Sequence, residues 1–435
     1  MKKILAGFFI LFLFLFLFLE KKVVLDNSFT VVTKFSETTY FLDRDAEPQG
    51  FEYELLKDYT SKLNKELKII TVDSASELFT AIESGRADMI AAGVTRTPER
   101  GNRFVFGPVY GVTNEVLVCN KAKISTNSSW NTKLIRDSSY QRNWENKLRD
   151  SDFIVDLISS TTEEALIYVN DHPGTCTVAD QHILNIMSRY LVNLSIKEKS
   201  KISQELSWVF PKNSNVNFSR LNKWFSDYTR SGDLERLYEK HFGHIKRKFN
   251  PFESQIIIAS FRERFPQYKK YFIESAEKNQ LDWRLLAAVS YQESHWKKDA
   301  VSPTGVRGLL MLTRKTAKLL GVNRNIPEQS IEGGARYLRR LYNQLPADIK
   351  APDRMWVTLA SYNVGLGHVL DVRQIIRDKG GDPSSWREIR RYLPLLTQPK
   401  YYRKTRFGYA RGYEPVQYVK NIRSFYDILK KLDES

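Results

Sequence analysis

Cysteine is almost absent from this chain: its 435 residues include two, Cys119 and Cys176. That excludes a disulfide-built scaffold and any cysteine-rich zinc or iron–sulfur centre, and leaves room for one disulfide at most. Histidine is nearly as scarce, six residues with no HExxH spacing, so neither a metal centre nor a cofactor is expected. Beyond residue 22 there is no internal repeat and no low-complexity tract. Aromatic residues, by contrast, are plentiful. The 8 Trp, 22 Tyr and 25 Phe suffice for large cores and for surfaces on which sugars stack. A hydrophobic fraction of 42% against 27% charged reads as globular, and the length calls for two or three domains.

The net charge of +17 is unevenly spread. Residues 251–435 hold 33 Lys+Arg against 19 Asp+Glu, a balance of +14, whereas residues 1–250 hold 34 against 31, or +3. The second half therefore suits an anionic partner (nucleic acid, a membrane surface or an acidic polymer) unless its charge is only a solvated surface. The N-terminus narrows the choice. Lys2 and Lys3 precede an unbroken apolar run of sixteen residues, Ile4 to Leu19, which Glu20, Lys21 and Lys22 end. A basic start followed by an apolar stretch marks export. At ~1.5 Å per residue the run spans roughly 24 Å, short of the ~30 Å hydrocarbon core. Residues 1–22 are thus expected to be a cleaved signal peptide. No small-x-small cleavage site follows, so an uncleaved anchor stays open as the alternative. Export removes nucleic acid as a partner and makes a Cys119–Cys176 disulfide chemically permissible, without showing that the two are close.

Residues 23–245 alternate β-like and helical stretches. Val31-Val32-Thr33, Leu67–Val72 and Met89–Ala92 read as strands, Glu54–Tyr59 and Ser76–Ser84 as helices, which predicts an α/β domain with parallel pairing. The segment from Leu78 to Pro108, together with Gly50-Phe51-Glu52 and the stretch Gly232 to Gly243, resembles the periplasmic solute-binding proteins for amino acids and peptides. The resemblance implies two lobes closing on a ligand. Arg100 would then grip the α-carboxylate, Thr95 donate from its hydroxyl, and Asp180 hold the amino group. The chemistry is sound, because a planar guanidinium forks onto a carboxylate and an Asp neutralises an ammonium. The alternative is a module that keeps this fold without the ligand.

His244 to Pro251 combines charge with an Asn-Pro breaker, so residues 246–264 read as a linker and 265–435 as a mostly helical domain. A helix is predicted from Asp282, its N-cap, through Ser294. Leu285, Val289 and Glu293 share one face of it, at i, i+4 and i+8. A carboxyl closing an apolar stripe is pushed toward its neutral form, as a general acid requires, unless it is merely solvated at the helix end.

The residues that follow Glu293 carry a second resemblance. Gln292-Glu293-Ser294-His295-Trp296 with Ser302 to Leu309, then Glu332 to Leu338, Leu359 to Gly365 (A-Y-N-x-G, with Ser361 where Ala is usual) and Tyr418-Val419 with Ile422 resemble the soluble-lytic-transglycosylase family. After Gly308-Leu309 that family usually places Met-Gln. Here Leu310-Met311 stands instead, which removes a polar sugar contact and is typical of a narrower, membrane-bound branch that fuses both modules.

The two resemblances imply a bilobal α/β domain like the periplasmic binding proteins, followed by a lysozyme-like, mostly α domain acting on peptidoglycan. They imply Glu293 as sole acid and base for the MurNAc-β-1,4-GlcNAc bond, with the MurNAc 6-hydroxyl attacking C1 to leave a 1,6-anhydro end. Ser294, Tyr362, Asn363 and Tyr418 would bind substrate or hold Glu293. Arg390-Arg391 and Lys400 to Lys404 interleave bases with aromatics, which suits an acidic glycan. The periplasmic face of the outer membrane is the implied location, with an inner-membrane anchor as the alternative. A hydrolytic muramidase of the lysozyme type and a non-catalytic solute receptor are the rival functions.

Overall fold

A computed structural model describes residues 27–42, 46–122, 129–245, 251–302 and 305–434. The expected signal or anchor at 1–22 and the charged boundary at 246–250 lie outside the described residues, as do two positions of the Ser302 to Leu309 motif. Among the described residues no helix is long and apolar enough to cross a membrane.

The first domain is organised by one eight-stranded sheet. Its strands are β1 (Ser28–Thr33), β4 (Glu66–Thr71), β5 (Met89–Ile90), β6 (Phe104–Asn120), β7 (Trp130–Ile135), β8 (Phe153–Ile158), β9 (Thr175–Asp180) and β10 (Leu194–Pro211). A separate two-residue pair, β2 (Phe41–Leu42) and β3 (Pro48–Gln49), sits outside it. The order is β4-β1-β5-β10-β6-β9-β7-β8. Parallel pairing, expected throughout, holds within each half: β1 with β4 and β5, and β7 with β8 and β9. Between the halves β6 and β10 run antiparallel, because the chain crosses from the first lobe to the second along β6 and returns along β10. Two lobes result, each with its own core. Phe29, Leu55, Tyr59 and Trp208 pack in the first, and Leu117, Trp130, Leu134 and Trp144 in the second. Cys119 and Cys176 face each other across β6 and β9 and are joined as a buried disulfide, which answers what their spacing leaves open.

From Pro251 onward the described chain is helical. Helix Pro251–Glu263 occupies what reads in the sequence as linker. A proline is well placed at a helix start, and the apolar Ile256 to Ile258 gives this helix something to bury. Ile257 is fully buried in the same core as Phe265, Phe272 and Trp296. Through that core runs helix Trp283–Ser294, whose residues Leu285 to Tyr291 are all buried. Asp282 caps it as expected, accepting from the Arg284 amide at 2.8 Å. Around it pack helices Pro327–Gln344 and Asp353–Val364 and the C-terminal helix Tyr413–Glu434.

The C-terminal helix also holds the two domains together. The Arg423 guanidinium, 3% exposed, donates to Glu239 Oε1 (3.1 Å) and to the carbonyls of Glu239 and Lys240 (2.8 Å each), capping the end of helix Asp233–Phe242. One turn on, Asp427 pairs with both Arg189 and His244 of the first domain. Arg390 adds a 2.6 Å ion pair to Glu239. Of the bases expected to face the glycan, Arg390 is therefore committed to the domain interface.

Candidate active site and interlobe cleft

Glu293 lies in the last turn of helix Trp283–Ser294, with the buried Leu285 and Val289 beneath it. The Tyr418 hydroxyl, from the C-terminal helix, donates to Glu293 Oε1 at 2.5 Å. Among the described residues nothing bonds Oε2. Burial pushes the Glu293 carboxyl up to about 7, against a smaller downward pull from the Tyr418 hydrogen bond. Among the described residues no second carboxylate acts on it. Asp282 is at the far end of the same helix, paired with Arg284 and accepting from Tyr426 at 2.8 Å.

Tyr362, from helix Asp353–Val364, is the third member of the group. Burial, with the Glu293 charge next in importance, holds its hydroxyl in the protonated form, as it does that of Tyr418. The Tyr362 hydroxyl donates to the Leu310 carbonyl at 2.6 Å, and its ring packs edge-on against Tyr337 at 5.4 Å. Asn363 is exposed beside it, and its side chain has no hydrogen bond among the described residues. Ser294 is brought to the site but does not face it. It is 3% exposed, and its hydroxyl is shared between the carbonyls of Ser290 and Leu309 at 3.0 Å. In this structure the hydroxyl expected to meet substrate or hold Glu293 is instead engaged under the loop 308–312.

That loop carries the Leu310-Met311 pair singled out in the sequence, and what the sequence does not reveal is how it is held. The hydroxyls of Ser290 and Ser294 hold the Leu309 carbonyl, Ser330 accepts from the Leu310 amide at 3.3 Å, and Arg324 donates to the Leu312 carbonyl at 2.7 Å. Ser290 stands one turn before Ser294 in an otherwise apolar helix, and that polar intrusion is the signal that could have found it. Gly308, at φ +83°, lies where a Cβ would come within 1.9 Å of the Arg324 carbonyl oxygen, so the turn admits no larger residue.

In the first domain Thr95, Arg100 and Asp180 line one small cavity between the lobes, about 70 Å³ in volume. Arg100 opens toward it from the short helix Pro98–Arg103, one of its nitrogens donating to the Thr95 carbonyl at 2.9 Å and its guanidinium lying 5.0 Å over the Phe79 ring. Asp180, at the end of β9, accepts from the Tyr140 hydroxyl on Oδ2 (3.0 Å), while its buried Oδ1 has no partner among the described residues. Burial first, then the neighbouring Glu115 charge, raises the Asp180 carboxyl to about 7. The lobes touch across the cleft where the Ser36 hydroxyl donates to Glu163 and the Tyr190 hydroxyl to Glu37 (2.8 Å).

Comparison with known proteins divides the chain in the same way. Residues 30–244 match the family of bacterial extracellular solute-binding proteins, family 3, and residues 270–383 match the transglycosylase SLT domain. Along nearly its whole length the chain is 39% identical to the membrane-bound lytic murein transglycosylase F 1 of Alkalilimnicola ehrlichii, over 95% of this chain and 85% of that protein. It is 39% identical to the transglycosylase F of Idiomarina loihiensis (93% and 90% covered) and 41% identical to that of Shewanella sediminis (88% and 81%). Two-domain matches at this identity and coverage leave one conclusion: the chain belongs to the membrane-bound lytic murein transglycosylase F family.

Proposed function

We propose that this protein cleaves the MurNAc-β-1,4-GlcNAc bond of peptidoglycan without water, with Glu293 as both acid and base. One observation carries the reading: a carboxyl raised to about 7 by burial and held through Oε1 by Tyr418, with no second carboxylate among the described residues acting on it. A glycosidase that uses water or an enzyme nucleophile needs two carboxyl groups flanking the bond. With one, the substrate supplies the nucleophile. Glu293 Oε2 gives its proton to the glycosidic oxygen as the C1–O bond breaks. The resulting carboxylate then takes the proton of the MurNAc 6-hydroxyl as that oxygen closes on C1, which restores the acid and leaves a 1,6-anhydro end. Tyr418 fixes the carboxyl throughout, Tyr362 braces the loop 308–312, and Asn363 is free to bond the sugar. Mass spectrometry of sacculi digested by wild type and by Glu293→Gln tests the scheme. Anhydro-muropeptides are expected from wild type alone, and reducing ends would make the protein a hydrolase.

The first domain, in this reading, binds an amino acid or a cell-wall peptide, with the carboxylate on Arg100 and Thr95 and the ammonium on Asp180. The unpartnered Asp180 Oδ1 supports it, since a buried acceptor left empty is costly. Occupancy would then adjust the exposure of the Glu293 cleft. The apolar run at Ile4 to Leu19 supports placement in the cell envelope; the family resemblance favours the periplasmic side of the outer membrane, with an inner-membrane anchor as the alternative. The domain limits that go with this reading are 1–22 for the signal or anchor, 23–245 for the ligand domain and 251–435 for catalysis, since helix Pro251–Glu263 packs Ile257 into the catalytic core.

A further inference from the structure

The cleft between the lobes holds two charged groups beyond those that an α-amino acid requires, Lys34 and Glu163, and of these Glu163 is already bonded by the Ser36 hydroxyl. Lys34 follows β1 directly, and its carbonyl is pinned by the Thr39 hydroxyl at 3.1 Å, so its position in the cavity wall is fixed from the backbone. Its side chain lines the same cavity as Arg100 and Asp180. Among the described residues the Lys34 ammonium makes no hydrogen bond and no ion pair, and Arg100 makes no ion pair either. The carboxylates that act on Lys34 from a distance are Glu163, Asp180 and Glu164. Two of these are already engaged: Glu163 accepts from Ser36, and Glu164 closes the capping box with Thr161. Burial lowers the Lys34 pKa, as expected for a cation stranded without a contact partner.

Three groups therefore face the cavity with their chemistry unmet: two cations and one carboxylate oxygen. Their complement is a ligand with two anionic groups and one cationic group. We infer that the cleft takes a dicarboxylic amino acid, its α-carboxylate on Arg100, its ammonium on Asp180 and its side-chain carboxylate on Lys34, an assignment that rests on the ligand reading proposed above. A neutral side chain leaves Lys34 buried and unpaired, and a basic one sets two cations against each other. Lys34 is thus the residue that selects among amino acids, whereas Arg100 and Asp180 would accept them all.

Isothermal titration of the full chain with L-glutamate, D-glutamate, L-aspartate, L-glutamine and L-lysine tests this. At least one dicarboxylate is expected to bind about ten- to hundredfold more tightly than glutamine, the range of one charge-assisted hydrogen bond, with lysine weakest. In Lys34→Met that preference is expected to vanish while glutamine affinity stays. Glutamine binding as tightly as every dicarboxylate, or a preference that survives Lys34→Met, overturns the assignment and leaves the ligand reading standing. Absence of binding by all five, with no binding of a cell-wall peptide either, removes both; a peptide that binds where the five do not overturns the assignment alone. Should Lys34→Met fail to fold, the wild-type ratio of glutamate to glutamine decides by itself, and Lys34→Arg is expected to keep the preference.

Discussion

Glu293 is legible in the sequence for a physical reason. Its spacing from Leu285 and Val289 puts a carboxyl over buried apolar side chains, and the structure turns that burial into a carboxyl raised to about 7. Tyr418, 125 positions away, is legible only through the family resemblance, because no local pattern links it to Glu293. Two outcomes follow. The acid must carry its proton at the start, so turnover is expected to fall as pH rises through about 7. The Tyr418 hydrogen bond favours the ionised form, so in Tyr418→Phe the carboxyl rises further and this limb of the rate profile moves to higher pH, with kcat down roughly ten- to hundredfold from lost positioning. An unmoved limb would mean that Tyr418 does not bond Glu293 in solution. The second outcome concerns stability. A carboxyl whose folded pKa lies above its unfolded one costs stability as pH rises from about 4.5 to about 7. Glu293→Gln is therefore expected to melt with wild type at pH 4 and above it at pH 8, by on the order of 1–3 kcal/mol, measured by calorimetry.

At the scale of elements, caps and apolar spacing foretell much. The Asp282 cap, the strands near Val31, Leu67 and Met89 and the helices between them stand where the pattern puts them. What local pattern misses is long-range commitment. Helix Pro251–Glu263 looks like linker because its charge and Asn-Pro breaker are local, whereas Ile257 is anchored by a core assembled from residues far along the chain. Ser294 looks like a cleft residue because it follows the acid, although its position one turn after Ser290 turns it toward the loop 308–312. The packing of that loop on helix Pro327–Gln344 gives a third prediction. A Cβ added at Gly334 would sit 2.3 Å from Leu310 Cγ, and the Leu310 carbonyl is what Tyr362 holds. Gly334→Ala is expected to lose about 1–3 kcal/mol of stability, and to lose activity beyond what the unfolded fraction explains, as the loop shifts from Tyr362. Denaturant unfolding and product assays on the same sample separate the two losses.

Across the whole molecule, Arg189 meets three bodies at once. It belongs to the second lobe, lies 3.6 Å from Glu37 of the first, and pairs with Asp427 on the helix that also carries Tyr418. That helix is tied to the catalytic helix at both ends, by Tyr418 to Glu293 and by Tyr426 to Asp282. Burial opposes ionisation of Asp427, yet His244, Arg189 and Lys430 together hold its carboxyl well below the usual range, so it is charged at neutral pH. His244, pushed down to about 4 mainly by burial, is neutral there, which leaves Arg189 as the cation chiefly matched by Asp427. Removing one partner of such a pair strands the other, at a cost of about 3–5 kcal/mol. In Asp427→Asn the loss is expected to fall on the joint between the domains. Amide exchange should quicken in 233–245 and in the last turns of the C-terminal helix, while the buried core of helix Trp283–Ser294 keeps its protection. The depressed pKa fixes the pH sense as well: the joint is firm above about pH 4 and loosens as acid protonates Asp427. If lobe occupancy reaches the active site through Arg189, ligand affinity should survive in Asp427→Asn while any effect of ligand on glycan cleavage disappears. A ligand response that persists in that variant would send the coupling by way of Arg423 and Glu239 instead.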